Sequence, residues 1–151
     1  MFVYDGQKHL YLLGSRTLPS VTQIVSSAYG IQHYADDFYL HKGSMLHKAI
    51  SLYLKGVLDE KTVDERLKGK LEGAKKAVKE LSLVPKVIET PMYHKVLMCA
   101  GTPVMLTKDY ILVDWKSSAS PLTSPPQLGG YAEILENNGF KAKTCYEITL
   151  S

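Results

Sequence analysis

Asp114-Trp115-Lys116 sets a carboxylate and an amine two residues apart at the end of an apolar run, Ile111-Leu112-Val113. Side chains alternate along a strand, so Asp114 and Lys116 would share one side of it and be held rigidly at the edge of a core. That pairing suits phosphodiester hydrolysis. The reaction needs a nucleophilic water, neutralisation of charge on the phosphate and help for the leaving oxygen, and divalent ions supply most of this. Hard ions such as Mg²⁺ take carboxylate oxygens and water. A lysine alongside stabilises developing negative charge or positions the attacking water. On its own Asp-x-Lys is a weak signal, because an exposed acid-lysine pair on a strand is its commoner meaning.

Companions in a sensible order change that weight. Glu89 ends the strand-like Lys86-Val87-Ile88-Glu89. Gly43-Ser44-Met45-Leu46-His47 opens a helix, with glycine allowing close approach and histidine one turn later. Gln127 and Tyr131 lie four apart, on one face of a second helix. The Ser/Pro loop 117–126 follows the Asp114–Lys116 strand directly, which makes Ser117 and Ser118 candidate DNA contacts.

The words Leu18-Pro-Ser-Val-Thr-Gln-Ile24, Gly43-x-x-x-His47, Glu89, Ala100-Gly-Thr, Asp114-Trp-Lys116 and Gln127-x-x-x-Tyr131 span residues 18–131. Together they resemble the PD-(D/E)xK nuclease superfamily in its RecB-like branch, and the Pro-Ser-Val-Thr opening leans towards the phage and mitochondrial exonuclease members. The resemblance implies a restriction-endonuclease-like α/β (α+β) core, a central mixed sheet flanked by helices. It implies Mg²⁺- or Mn²⁺-dependent DNA hydrolysis, most simply exonucleolytic and on single strands or ends, in replication, recombination or repair. Asp114 would bind the metal and Lys116 would be the catalytic lysine, with Glu89 a further catalytic carboxylate. His47 would join the metal site and the backbone carbonyl of Trp115 would complete the metal shell. Gln127 and Tyr131 would hold the active site and the DNA backbone.

One position departs from the pattern. In Ala-Gly-Thr-x-Asp the fifth residue is the principal metal-bridging aspartate, and here it is Val104. An isopropyl group cannot ligate Mg²⁺. Asp109 sits in the turn Thr107–Tyr110, one strand length away, and Glu89 would have to re-aim. Two explanations follow: an inactivating substitution in an active nuclease, or a natural member that binds DNA without cutting. The retained Asp114, Lys116, His47, Gln127 and Tyr131 favour the first. A structure-selective endonuclease, such as a junction resolvase, is the third class to separate.

These residues must be positioned by a small set of elements. A hairpin is expected over 2–13, turning at Asp5-Gly6-Gln7-Lys8 with His9–Leu13 as its second strand. Ser20 should cap a helix over Val21–Tyr29 that Gly30 ends. Residues 31–42 read as irregular or weakly helical, and a helix should run from Gly43 or Ser44 to Leu54. Val63, Leu67, Leu71, Ala74, Val78 and Leu81 form an apolar stripe for a helix over 60–81. Its lysines at 68, 70, 75, 76 and 79 make the solvated face. Strands are expected at 86–90, 94–99, 103–107, 110–115 and 144–150, with His94 facing solvent, and a helix over 127–139. The aromatic-rich segment Tyr29–Tyr39, with His33, Tyr34, Phe38 and Tyr39, is a candidate for stacking on bases.

Composition sets the frame. The 151 residues suffice for one domain, 1–151, with a sizeable core. A net charge of +3 permits a DNA partner without demanding one. Cys99 and Cys145 read as buried free thiols of a reducing compartment. With no leader-like start and no apolar run near the ~20 residues that span a bilayer, no membrane partner is expected. The chain reads as intracellular, in a bacterial cytoplasm or wherever DNA is held. Oligomeric state is not legible.

Overall fold

The computed structural model describes residues 1–31, 37–118 and 121–151, and of residues 37–42 the helical backbone alone. An antiparallel meander comes first: β1 (Phe2–Asp5), β2 (Leu10–Leu13) and β3 (Arg16–Leu18). Then follow α1 (Val21–Ala28), α2 (Asp37–Leu54), a 3-10 turn (Glu60–Thr62) and α3 (Glu65–Glu80). The remainder is β4 (Pro85–Ile88), the short hairpin β5 (Met92–Tyr93) and β6 (Ala100–Gly101), β7 (Met105–Thr107), β8 (Ile111–Lys116), α4 (Ser124–Asn137) and β9 (Thr144–Thr149).

The central sheet has the order β4-β7-β8-β9 and is mixed, with β8 antiparallel to β7 and parallel to β9. Its two faces are covered by different helices. Leu46, Ala49 and Ile50 of α2 and Leu67, Leu71 and Ala74 of α3 pack with Met105, Val113 and Trp115. Val21 and Val25 of α1 and Leu128, Ile134 and Leu135 of α4 pack with Val87, Leu106 and Leu112. The alternation of β8 follows: Val113 and Trp115 face α2 and α3, and Leu112 faces α4. Being covered on both sides makes this strand read as a continuous apolar run. The same alternation puts Asp114 and Lys116 on the α4 side. The expected mixed sheet flanked by helices is therefore present.

The α1–α4 contact turns on a glycine. A Cβ built on Gly130 would lie 2.7 Å from Val21 Cγ1, whereas one on the adjacent Gly129 would meet nothing within 4 Å. Alanine in a helix gains up to about 1 kcal/mol over glycine, while forcing a methyl into a packed contact costs about 1–3 kcal/mol. Gly129→Ala should therefore raise the urea midpoint and Gly130→Ala should lower it. Equal shifts of the same sign would contradict this packing.

Several local expectations are corrected. The first hairpin's second strand begins at Leu10, not His9, which sits in the turn with φ 52°. Helix α2 already includes Asp37, before Gly43, so of the 31–42 stretch read as irregular or weakly helical, 37–42 are helical. The 60–81 helix divides, because the Asp64 side chain accepts from Arg66 N and caps α3. Leu81 falls at its C-terminal end and is exposed. Residues 94–99 form the β5–β6 turn rather than a strand. His94 does not face solvent: it is buried, and its Nδ1 accepts from Val96 N and Leu97 N at 3.2 and 3.0 Å. Helix α4 begins at Ser124, since Pro125 and Pro126 fit a first turn that needs no donors. Both cysteines are free, but Cys145 is exposed on the edge strand β9. His33 and Tyr34 of the aromatic segment, and the side chains of Phe38 and Tyr39, lie outside the described residues. No helix among the described residues is long and apolar enough to cross a membrane.

Candidate active site

Asp114 and Lys116 leave β8 into a cleft of about 530 Å³ that also takes in His47, Glu89, Val104, Gln127 and Tyr131. Residues from α2, the end of β4, the approach to β7, β8 and α4 thus meet in one place. Asp114 is buried and Lys116 Nζ stands 3.0 Å from its Oδ2. The two are not aligned for a hydrogen bond, and Oδ2 is left without one. A buried carboxylate is expensive unless paired, and the Lys116 ammonium is the counter-charge beside this oxygen.

Lys116 is held from the other side. Its Nζ donates to Gln127 Oε1 at 2.9 Å. A lysine only donates, so the amide oxygen must face it, leaving the Gln127 NH₂ for Tyr131 OH at 3.1 Å and Thr22 Oγ1 at 3.2 Å. Burial holds the Tyr131 phenol protonated above its ordinary range, against the lowering effect of its hydrogen bonds to Thr22 and Gln127. Thr22 is placed by the start of α1. Ser20 accepts from Gln23 N and Gln23 Oε1 accepts from Ser20 N, a reciprocal capping box.

The Ala100-Gly-Thr word has a physical reading here. Ala100 N donates to Pro19 O at 2.9 Å, tying the start of α1 to β6. Gly101 lies against Tyr131, where a Cβ would come within 2.9 Å of Cε1. Thr102 Oγ1 is 2.7 Å from Tyr11 OH, which anchors the N-terminal hairpin. The three small residues let α1, α4 and the hairpin converge.

Glu89 follows the last residue of β4 with φ 42°, a left-handed backbone that costs about 1–3 kcal/mol outside glycine. Its N–H donates to Val104 O at 2.9 Å, which fixes the kink. The kink supplies the re-aiming that the sequence required, since Glu89 lines the cleft. There it meets His47, whose Nδ1 is 3.4 Å from Glu89 Oε1 and whose Nε2 is 2.8 Å from the Trp115 carbonyl. Burial pulls the His47 pKa down. The Glu89 hydrogen bond, the Asp114 and Glu89 charges and the Trp115 carbonyl outweigh it and leave the pKa raised.

The expected metal ligands are thus neighbours of one another, but they are spent differently. His47 bridges Glu89 and the Trp115 carbonyl rather than standing free with them. Val104 packs in the α2–α3 core and forms part of the cleft wall. Among the described residues no three histidine, cysteine, aspartate or glutamate side chains converge closely enough to hold a metal ion. The unsatisfied Asp114 Oδ2 suits a divalent ion, but the donor set is incomplete where Val104 stands. Compared with protein-family models, curated proteins and solved structures, the chain returns no match.

Ser117 and Ser118, the loop residues expected to contact DNA, are exposed and do not line the cleft. Ser117 instead offers its carbonyl to Lys70 Nζ at 3.4 Å. Of the lysines on α3, Lys68 and Lys75 pair with acids of their own helix or the preceding turn. The sequence reading gave no site role to Tyr4, His9 or Tyr11, and it held Thr22 and Thr102 only as members of longer words. Tyr4 faces Tyr11 directly across the first hairpin, so a tyrosine register read across the turn would have paired them. That the pair reaches the cleft depends on the distant Thr102.

Proposed function

We infer that this chain carries the scaffold of a PD-(D/E)xK-type, restriction-endonuclease-like deoxyribonuclease, impaired at Val104. The observation that carries the reading is convergence. Asp114 and Lys116 of β8, Gln127 and Tyr131 of α4, His47 of α2 and Glu89 after β4 line one cleft, with Val104 in its wall. Asp114 and Glu89, with an aspartate at 104, would make the carboxylate set for Mg²⁺ or Mn²⁺. Lys116 would stabilise charge on the phosphate, and single-stranded DNA or DNA ends would be the substrate. Assaying end-labelled DNA with the Val104→Asp variant, with Mg²⁺ and with Mn²⁺, tests this. Cleavage is expected.

A non-catalytic DNA-binding module on the same scaffold is the second reading, and one observation favours it. Val104 is only 7% exposed and packs with Leu46, Met105 and Val113, so the position is accommodated as an apolar one. That reading predicts salt-dependent DNA binding in both chains and hydrolysis in neither.

A further inference from the structure

The cleft has two kinds of wall. One side is polar: Glu89, Asp114, Lys116 and Gln127. The other is flat and aromatic, and it comes from the N-terminal hairpin through Tyr4, His9 and Tyr11. We propose that Tyr4 and His9 form a stacking wall for an unpaired base beside the phosphate-facing floor, making the cleft selective for single-stranded over duplex DNA. This rests on the deoxyribonuclease reading above and specifies its substrate.

The wall is built to be rigid. Tyr4 stacks on Tyr11 with ring centroids 4.6 Å apart and planes 25° apart. Behind them Phe2 continues the stack, 6.2 Å from Tyr11 and 4.9 Å from Tyr93. Tyr11 is spent on structure: it is buried and its hydroxyl is engaged by Thr102. Tyr4 and His9 are not, being partly exposed and exposed respectively. Their mutual orientation is fixed by Tyr4 OH, 3.2 Å from His9 Nδ1. The turn is fixed by Asp5 Oδ1, which accepts from Gln7 N and Lys8 N at 3.0 and 3.1 Å. His9 adopts φ 52°, a conformation that needs such support outside glycine.

The chemistry of the two walls selects the ligand. The Lys116 ammonium suits an anionic phosphate, and a preformed aromatic face suits a base. Stacking is tolerant of sequence because every base has a π-face. A base still paired in a duplex cannot turn its face to a side wall without being unstacked and unpaired.

The test is fluorescence anisotropy of labelled oligothymidine and of a blunt duplex, with EDTA present, on the chain as it stands and on Tyr4→Leu, Tyr4→Phe and His9→Ala. Single-stranded binding should weaken about 10-fold in Tyr4→Leu, in keeping with the worth of one base–aromatic stack. It should stay within about 2-fold in Tyr4→Phe, which keeps the ring. His9→Ala, at an exposed position, should weaken it in the same direction. Duplex binding should be unchanged in all three. Single-stranded binding retained in both Tyr4→Leu and His9→Ala, or duplex binding falling in parallel, overturns the stacking wall and leaves the nuclease reading standing. Failure of the parent chain to bind DNA of either kind removes that reading, and the wall with it.

Discussion

Replacing Val104 with aspartate is expected to convert the chain into a divalent-ion-dependent deoxyribonuclease. The position borders the cleft that holds Glu89 and Asp114, and the Glu89 N–H is bonded to its carbonyl at 2.9 Å. A carboxylate there would supply what the described residues lack, a further oxygen ligand near the unsatisfied Asp114 Oδ2. When bound, a divalent ion supplies a polarised water and neutralises phosphate charge, worth several kcal/mol of barrier. At about 1.4 kcal/mol per decade this corresponds to roughly 10²–10⁴-fold in rate. Stability gives a second readout. Val104 is packed among Leu46, Met105 and Val113, so an aspartate with no ion places a third carboxylate near two others in a partly desolvated site. The variant should melt lower than the parent in EDTA and regain stability as Mn²⁺ is added, through binding to the folded state alone. The parent chain should show no comparable shift. Unchanged cleavage together with no Mn²⁺-dependent rise in melting temperature would sink the idea that Val104 is the lesion.

How far the sequence carried this reading depends on the range over which each signal acts. Signals confined to one element were legible. Ser20 caps α1 as expected, and Gln127 and Tyr131 do share a helix face and a hydrogen bond. Asp114 and Lys116 share a side of β8 because alternation is a property of the strand itself. Signals that depend on packing were not legible. Residues 94–99 resemble a strand in composition, yet the His94 ring takes two backbone N–H groups and folds them into a turn. Residues 37–42 carry Asp, Tyr and His instead of an apolar stripe, so their helical backbone had no periodic signature. In the site, Glu89 could be named but not aimed, since its left-handed backbone is imposed by the bond to Val104. His47 could be named as a site candidate, but not as the bridge between Glu89 and the Trp115 carbonyl. The hairpin wall was invisible because Tyr11 and Thr102, which dock it, are 91 residues apart.

In the Val104→Asp background, Lys116→Met should lower cleavage about 10²–10³-fold, the cost of removing one preorganised donor from developing charge. The loss should fall on kcat with KM little changed, because the interaction strengthens only as charge builds on the phosphate. Lys116 is suited to this because its position is over-determined: Asp114 Oδ2 at 3.0 Å on one side and Gln127 Oε1 at 2.9 Å on the other. Lys116→Arg should not rescue, since a planar fork cannot occupy the place of a compact ammonium between those two oxygens. A purely structural role makes a different prediction. Lys116 is also the counter-charge of a buried carboxylate, and removing one partner of such a pair destabilises the fold. If that were its whole contribution, Mn²⁺ bound at Asp114 would replace the lost charge, and saturating ion would restore both the melting temperature and the rate. A charge-stabilising lysine predicts that the two part company: the melting temperature recovers with Mn²⁺ and the rate does not.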